Sequence, residues 1–166
     1  MVDLIPMPHK EAIDFFEKRI VMPPEEFEAL ARQVGDAAKA GAFTIADVAS
    51  MDVLNDIYAG LKKAIIEGET FWDFRKRIDE IMVARGWEGL APYRLDNIFR
   101  TNTQMAYMSG RHEQMKRIAH RRPYWQYSAV NDSRTRPSHA AMDGKVYLHD
   151  DPFWDTWYPP NGYRCR

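Results

Sequence analysis

The 166-residue chain contains a single cysteine, Cys165, so no internal disulfide can brace the fold, and a reducing compartment suits it. No run of 18 apolar residues occurs, which excludes an ordinary transmembrane helix and gives no reason to expect a membrane partner. The amino-terminal stretch MVDLIPMPHKEAIDFF lacks a basic start, an apolar run and a small-residue cleavage site, so no secretory signal is expected. Internal repeats and low-complexity tracts are also missing. What is present is ample material for a core. Hydrophobic residues make up 45% and aromatics 13% of the chain, which excludes wholesale disorder and fits one domain, or a small domain with a helical extension.

Net charge is only −1, but it is unevenly placed. Residues 1–93 carry 11 Lys/Arg against 17 Asp/Glu, a net −6, whereas residues 94–145 carry 10 against 4, a net +6. The last 21 residues hold 2 against 3. An acidic front and a basic middle point to two surfaces with different partners, or to solvated helix faces that complement one another.

Up to about residue 120 the patterning is helical. PHKEAIDFFEKRI places Ile13, Phe16 and Ile20 on one stripe of a short helix. Pro23 and Pro24 end it, and Pro24-Glu25-Glu26 suits the first turn of a second helix running to about Lys39. TIAD (44–47) and TFWD (70–73) resemble capping boxes with Asp as the third-position acid, predicting helices over 44–67 and 70–86 closed by Gly68 and Gly86. A longer helix is predicted over 93–120, with an interrupted apolar stripe of Leu95, Ile98, Phe99, Met105, Met108, Met115 and Ile118. Arg100, Gln104, Tyr107 and Arg111 form its polar face. Gly110 in mid-helix costs about 1 kcal/mol relative to Ala, which marks a close packing contact. After Pro123, YWQYSAV and KVYLH predict strands at 124–130 and 145–149, with one helical turn between Pro137 and Gly144. The tail DPFWDTWYPPNGYRCR predicts an ordered, aromatic-pinned loop. The fold class is therefore α+β: a helical amino-terminal two-thirds, then a small β-sheet and a long ordered carboxy-terminal loop.

The stretch NDSRTRPSHAAMDGKVY (131–147) concentrates the reactive side chains. An acid/base or metal reading uses Asp132, His139 and Asp143, with His149, Asp150 and Asp151 nearby and Cys165 as a third weak metal candidate. His139 and Asp143 sit four residues apart, too few ligands for a closed zinc site. Pairing Ser138 or Cys165 with His139 as a nucleophile finds no orienting third group. A structural reading has Asp132 accepting a backbone N–H two residues on, His139 packed on an aromatic ring, and Arg134 or Arg136 forking to a carboxylate. A nucleic-acid reading draws on Arg111, Lys116, Arg117, Arg121 and Arg122, which would give sequence-independent phosphate contacts; the same residues can complement the helix dipole and the acidic front. No cofactor is indicated.

Three ordered blocks carry a family resemblance. FRTNTQMAYMSGR supplies Arg100, Thr101, Asn102, Ala106 and Tyr107; the central block supplies Asp132, Arg134, Thr135, Arg136, His139 and Gly144; the closing block supplies Pro159, Pro160, Cys165 and Arg166. Together they resemble the phage minor head proteins typified by protein F of phage Mu, over roughly residues 60–166. Members often carry a further cysteine after the closing arginine, so the chain is expected to stop just short of the domain's end. The resemblance divides the chain into a helical extension (1–60) and a Mu F-like head morphogenesis domain (61–166). It implies a non-enzymatic protein of phage or prophage capsid assembly and DNA packaging. Such a protein associates with the portal and other capsid proteins and touches double-stranded DNA without sequence preference. It would reside in the bacterial host cytoplasm during assembly and then in the virion. The alternatives are a metal-dependent nuclease or toxin-like enzyme centred on Asp132, His139 and Asp143, or the carrier domain of a toxin fusion.

Overall fold

Proline at the start or glycine past the end punctuates most of the helices described. A computed structural model describes residues 9–35 and 41–161. In order they form α1 (Lys10–Glu17), β1 (Ile20–Val21), α2 (Pro24–Val34), β2 (Ala42–Phe43), α3 (Met51–Glu67), α4 (Phe71–Ala84) and α5 (Pro92–Arg117). Then follow β3 (Tyr124–Gln126), α6 (Pro137–Ala140), β4 (Val146–Leu148) and α7 (Phe153–Trp157). The architecture is α+β, as the patterning predicts.

The two capping-box sequences behave differently. Thr70 accepts from the Asp73 N–H while Asp73 accepts from the Thr70 N–H, so TFWD is a reciprocal box and α4 starts there. TIAD does not start a helix. Asp47 takes a positive φ of 59° in a turn, Ile45 and Val48 drop into the core, and Ser50 caps α3 by accepting from Val53 N–H. The α3 start shifts from 44 to 51 because two buried side chains need a turn that helical φ/ψ would not permit. At its other end Gly68 closes α3 at φ 67°, as predicted. The second helix ends at Val34, before a Gly35 with φ 61°, rather than at Lys39; residues 36–40 lie outside the described region.

The first core is helical. Ala12 and Phe16 of α1, Leu54, Ile57, Leu61 and Ile65 of α3, Phe74 and Ile78 of α4, and Leu95 of α5 are all buried within it. Each large apolar side chain so removed from water contributes about 1.5–3 kcal/mol before entropy is counted. Ile20, expected on the buried stripe of the first helix, is 66% exposed. The chain leaves the helix at Lys18 and enters β1, which pairs in parallel with β2 (Ile20 with Ala42, Val21 with Phe43). Ala12 takes the buried place instead.

Gly110 is a close-contact site. A Cβ there would lie 2.6 Å from His9 Cε1 and 2.7 Å from the Ala12 backbone nitrogen. The missing side chain lets the start of α1 lie directly on α5. Residue 60 lies inside α3, and α1 shares one core with α3, α4 and α5.

The second core is aromatic. β3 and β4 pair antiparallel, Trp125 opposite Tyr147, and a two-stranded ribbon of this size is marginal alone. Trp125, Tyr127 and Trp154 are buried, with Tyr147, Phe153, Trp157 and Tyr158 packed around them. The tail that reads as loop thus contains a short helix, α7, which presents Phe153, Trp154 and Trp157 to the ribbon. The Trp154 indole donates to the Leu148 carbonyl at 2.8 Å. Tyr158 donates its hydroxyl to the Met108 carbonyl of α5 at 3.1 Å, tying the two cores together.

Candidate functional site

The central block builds itself into a rigid loop by satisfying its own polar groups. Asp132 Oδ1 accepts the Arg134 N–H at 2.9 Å, the turn predicted from its place in the sequence. Thr135 closes the other side: its hydroxyl accepts the Asp132 N–H at 3.0 Å and donates to Asp132 Oδ1 at 3.2 Å. One oxygen of Asp143 accepts the Ala129 N–H at 2.8 Å and the other accepts the Asn131 amide at 2.7 Å. Those donors hold the Asp143 carboxyl below its usual range, the Ala129 N–H first and Asn131 next. Gly144, at φ 77°, makes the return turn and donates its N–H to the Tyr127 carbonyl at 2.9 Å.

His139 is an aromatic-cluster residue. Its Nδ1 is hydrogen-bonded to the Tyr127 hydroxyl at 2.9 Å, and its ring packs edge-on to Trp157 with centroids 5.7 Å apart. Although four residues apart, His139 and Asp143 serve separate partners. Among the described residues no carboxylate pairs with Arg134 or Arg136, where the sequence predicts a fork; the Arg136 guanidinium donates to the main-chain carbonyl of Asn161 at 3.0 Å. Among the described residues no three His, Cys, Asp or Glu side chains cluster as a metal site, and Cys165 lies outside that region.

The first motif block splits its duties between the two faces of α5. Asn102 turns inward, accepting from Arg19 at 2.6 Å and donating to the Ile98 carbonyl at 2.8 Å. Arg19 also donates to the Ala42 carbonyl at 2.8 Å and lies over the Phe16 and Phe43 rings. Burial lowers its pKa well below the usual guanidinium range, to about 10. This partly buried cation escaped sequence reading because FEKRI looks like a solvated helix end. Ala106 is fully buried, and among the described residues the buried Thr101 hydroxyl has no hydrogen-bond partner. Arg100 turns outward, bonded to Asp96 at 2.7 Å, and Tyr107 is exposed with its edge near His9.

These outward residues face the central block across a groove of about 800 Å³. Arg100, Gln104 and Tyr107 line one wall; Asp132, Arg134 and His139 line the other. Two motif blocks some 30 residues apart therefore share one cleft. Phe99, Ala129 and Val130 add apolar lining; the sequence marked them only as core-facing or strand residues.

One of the basic candidates is paired with an acid of the first helix. Arg117 donates to Glu11 at 2.8 Å, and Gln114 donates to the other oxygen of that carboxylate at 3.1 Å. Lys116 and Arg117 occupy the last turn of α5, where cations suit the dipole. Arg111, Lys116, Arg121 and Arg122 are exposed. Between them His112 packs edge-on to Tyr158 at 4.6 Å and Trp125 at 5.6 Å. Burial, then Lys116, lowers its pKa, with Glu113 opposing.

A helical core joined to an aromatic-pinned hairpin, with motif side chains spent on tying loops and lining a polar groove, makes this an α+β protein. The chain belongs to the Phage Mu protein F like family, whose pattern matches residues 55–166. It is 38% identical to the "Putative capsid assembly protein F" of Escherichia phage Mu over 177 aligned positions, covering 96% of this chain and 39% of that protein. It is 40% identical to the "Mu-like prophage FluMu F protein" of Haemophilus influenzae, covering 79% of this chain and 34% of that one. The chain thus spans between a third and two-fifths of the length of these curated relatives. No solved structure matches it. No helix among the described residues is long and apolar enough to cross a membrane.

Proposed function

We propose that this protein acts in phage or prophage capsid assembly as a minor head protein that associates with the portal and contacts packaged DNA. The observation that carries this reading is the alignment of nearly the whole chain with the protein named for capsid assembly in phage Mu. The role is structural rather than catalytic. In support, both oxygens of Asp143 are engaged by Ala129 and Asn131, and Asp132 is built into a turn. His139 bonds to Tyr127. The side chains that a nuclease centre would need are thus employed in holding the loop. DNA contact would fall to Arg111, Lys116, Arg121 and Arg122 at the end of α5, which face solvent, and less to Arg117, which is paired with Glu11.

The test is co-purification with the portal protein encoded nearby, with and without nuclease, using the wild-type chain and an Arg117/Arg121/Arg122 charge-reversal variant. Portal capture that survives both treatments is the expected result. Failure to capture portal at micromolar concentrations would remove portal docking. Stoichiometric divalent metal lost in His139→Ala, together with nucleic-acid cleavage, would replace the structural role by an enzymatic one.

A further inference from the structure

We propose that the groove between α5 and the 127–139 segment is a docking slot for an extended polypeptide segment bearing a carboxylate among apolar residues. This goes beyond a role in capsid assembly and holds whether or not the portal is a partner. The groove volume, about 800 Å³, lies within the roughly 300–1,000 Å³ of ligand-binding clefts.

Its walls are preorganised, which lowers the ordering cost of binding. The central block is held by Asp132, Thr135 and Asp143 through its own hydrogen bonds, so it needs no ligand to take its shape. Three groups nonetheless reach the groove with hydrogen-bonding capacity to spare: the Gln104 amide, the Tyr107 hydroxyl and the Arg134 guanidinium. Among the described residues none of the three has a hydrogen bond or ion pair. Arg134 is also anchored at its base, because Asp132 holds its N–H. A guanidinium so placed matches a carboxylate through two parallel hydrogen bonds. Phe99, Ala129 and Val130 add apolar lining to the same groove.

The occupant is a peptide because both signs of charge line the cleft. Asp96 and Asp132 border it together with Arg100, Arg134 and Arg136. A continuous phosphate backbone would run past both carboxylates, whereas one carboxylate meets Arg134 while neighbouring apolar side chains meet the apolar lining. Along α5 the lining runs from Asp96 to Tyr107, roughly 16 Å at about 1.5 Å per residue, which suits about five residues of extended chain at roughly 3.3 Å each. The Gln104 amide can both donate to and accept from such a backbone.

A displayed library of random seven-residue peptides, panned on the whole chain, tests this. Enrichment of sequences with one Asp or Glu flanked by apolar residues is expected. A synthesised member should lose at least tenfold in affinity on Arg134→Glu, on Val130→Asp, and on amidation of its own carboxylate. Lys63→Ala on α3 should leave it unchanged. Thermal melting of each variant separates lost binding from lost folding. The proposal is overturned if no peptide is enriched above selection on the Arg134→Glu chain, or if the folded Arg134 and Val130 variants bind as well as wild type. It is equally overturned if a single-stranded oligonucleotide binds through Arg134 while peptides do not.

Discussion

Gly110 sets two effects of alanine substitution against each other. Ala is better than Gly in a helix interior by about 1 kcal/mol, but the new methyl would meet the Ala12 backbone nitrogen at 2.7 Å as well as the His9 ring. A side chain can swing aside; the first turn of α1 cannot do so without leaving α5. Overpacking of this kind costs about 1–3 kcal/mol. Gly110→Ala is therefore expected to lower the urea midpoint, and a raised midpoint would show that α1 does not sit as described. Asn102 is the second such residue. Asn102→Ala removes the 2.6 Å partner of Arg19 and leaves that guanidinium among Phe16, Phe43 and the Ala42 carbonyl. Leaving a buried donor unsatisfied costs about 1–3 kcal/mol, more for a charged group, so Asn102→Ala should destabilise by at least that lower figure. Arg19→Met in the same background should recover part of the loss, because the orphaned charge goes with it.

At the scale of elements, the contact of β3, β4 and α7 with α5 is expected to respond to pH. His112, between Trp125 and Tyr158, has a folded pKa below its ordinary value of 6.5. The unfolded chain then binds a proton that the folded chain refuses, so stability is fully present above pH 6.5 and declines as pH falls below it. Tyr158 has its pKa raised by burial to about 12. There the folded chain keeps a proton that the unfolded chain loses, so stability declines as pH rises from about 10 to about 12. Denaturant midpoints followed by tryptophan fluorescence should fall on both sides, and His112→Gln should flatten the acid side. An acid limb unchanged in His112→Gln would assign it to other groups. The elements themselves were unequally legible. TFWD reads correctly because a capping box is a local contract between Thr70 and Asp73. TIAD misleads because Ile45 and Val48 answer to the core, a constraint that no four-residue window contains.

For the whole molecule, the charge asymmetry becomes partly an internal matter. Arg117 of the basic middle meets Glu11 of the acidic front across 106 positions of sequence. Within the acidic front itself, Lys62 meets Glu17 at 2.8 Å. What faces outward at the end of α5 is Arg111, Lys116, Arg121 and Arg122. Electrophoretic shift of duplex DNA over a salt series should show binding that weakens with a log–log slope of about −0.9 per phosphate neutralised. Reversing Arg121 and Arg122 should reduce that slope by roughly two, while Arg117→Glu should cost mainly stability through Glu11. Absence of binding even at low salt would remove DNA from the functional account.

By itself the sequence determined the helix-then-hairpin order, the turn at Asp132, the glycine stop at Gly144 and the family motifs. These depend on residues close in the chain: caps, prolines, backbone dihedral preferences and short motifs act over one or two turns. Only the tertiary structure decided that β1 and β2 pair, that α7 interrupts the tail, that Asn102 serves Arg19, and that Arg100, Gln104 and Tyr107 share a groove with Asp132, Arg134 and His139. Those outcomes depend on which buried surfaces meet, a property of the packed chain, since burial is rewarded by area removed from water and is indifferent to distance along the sequence.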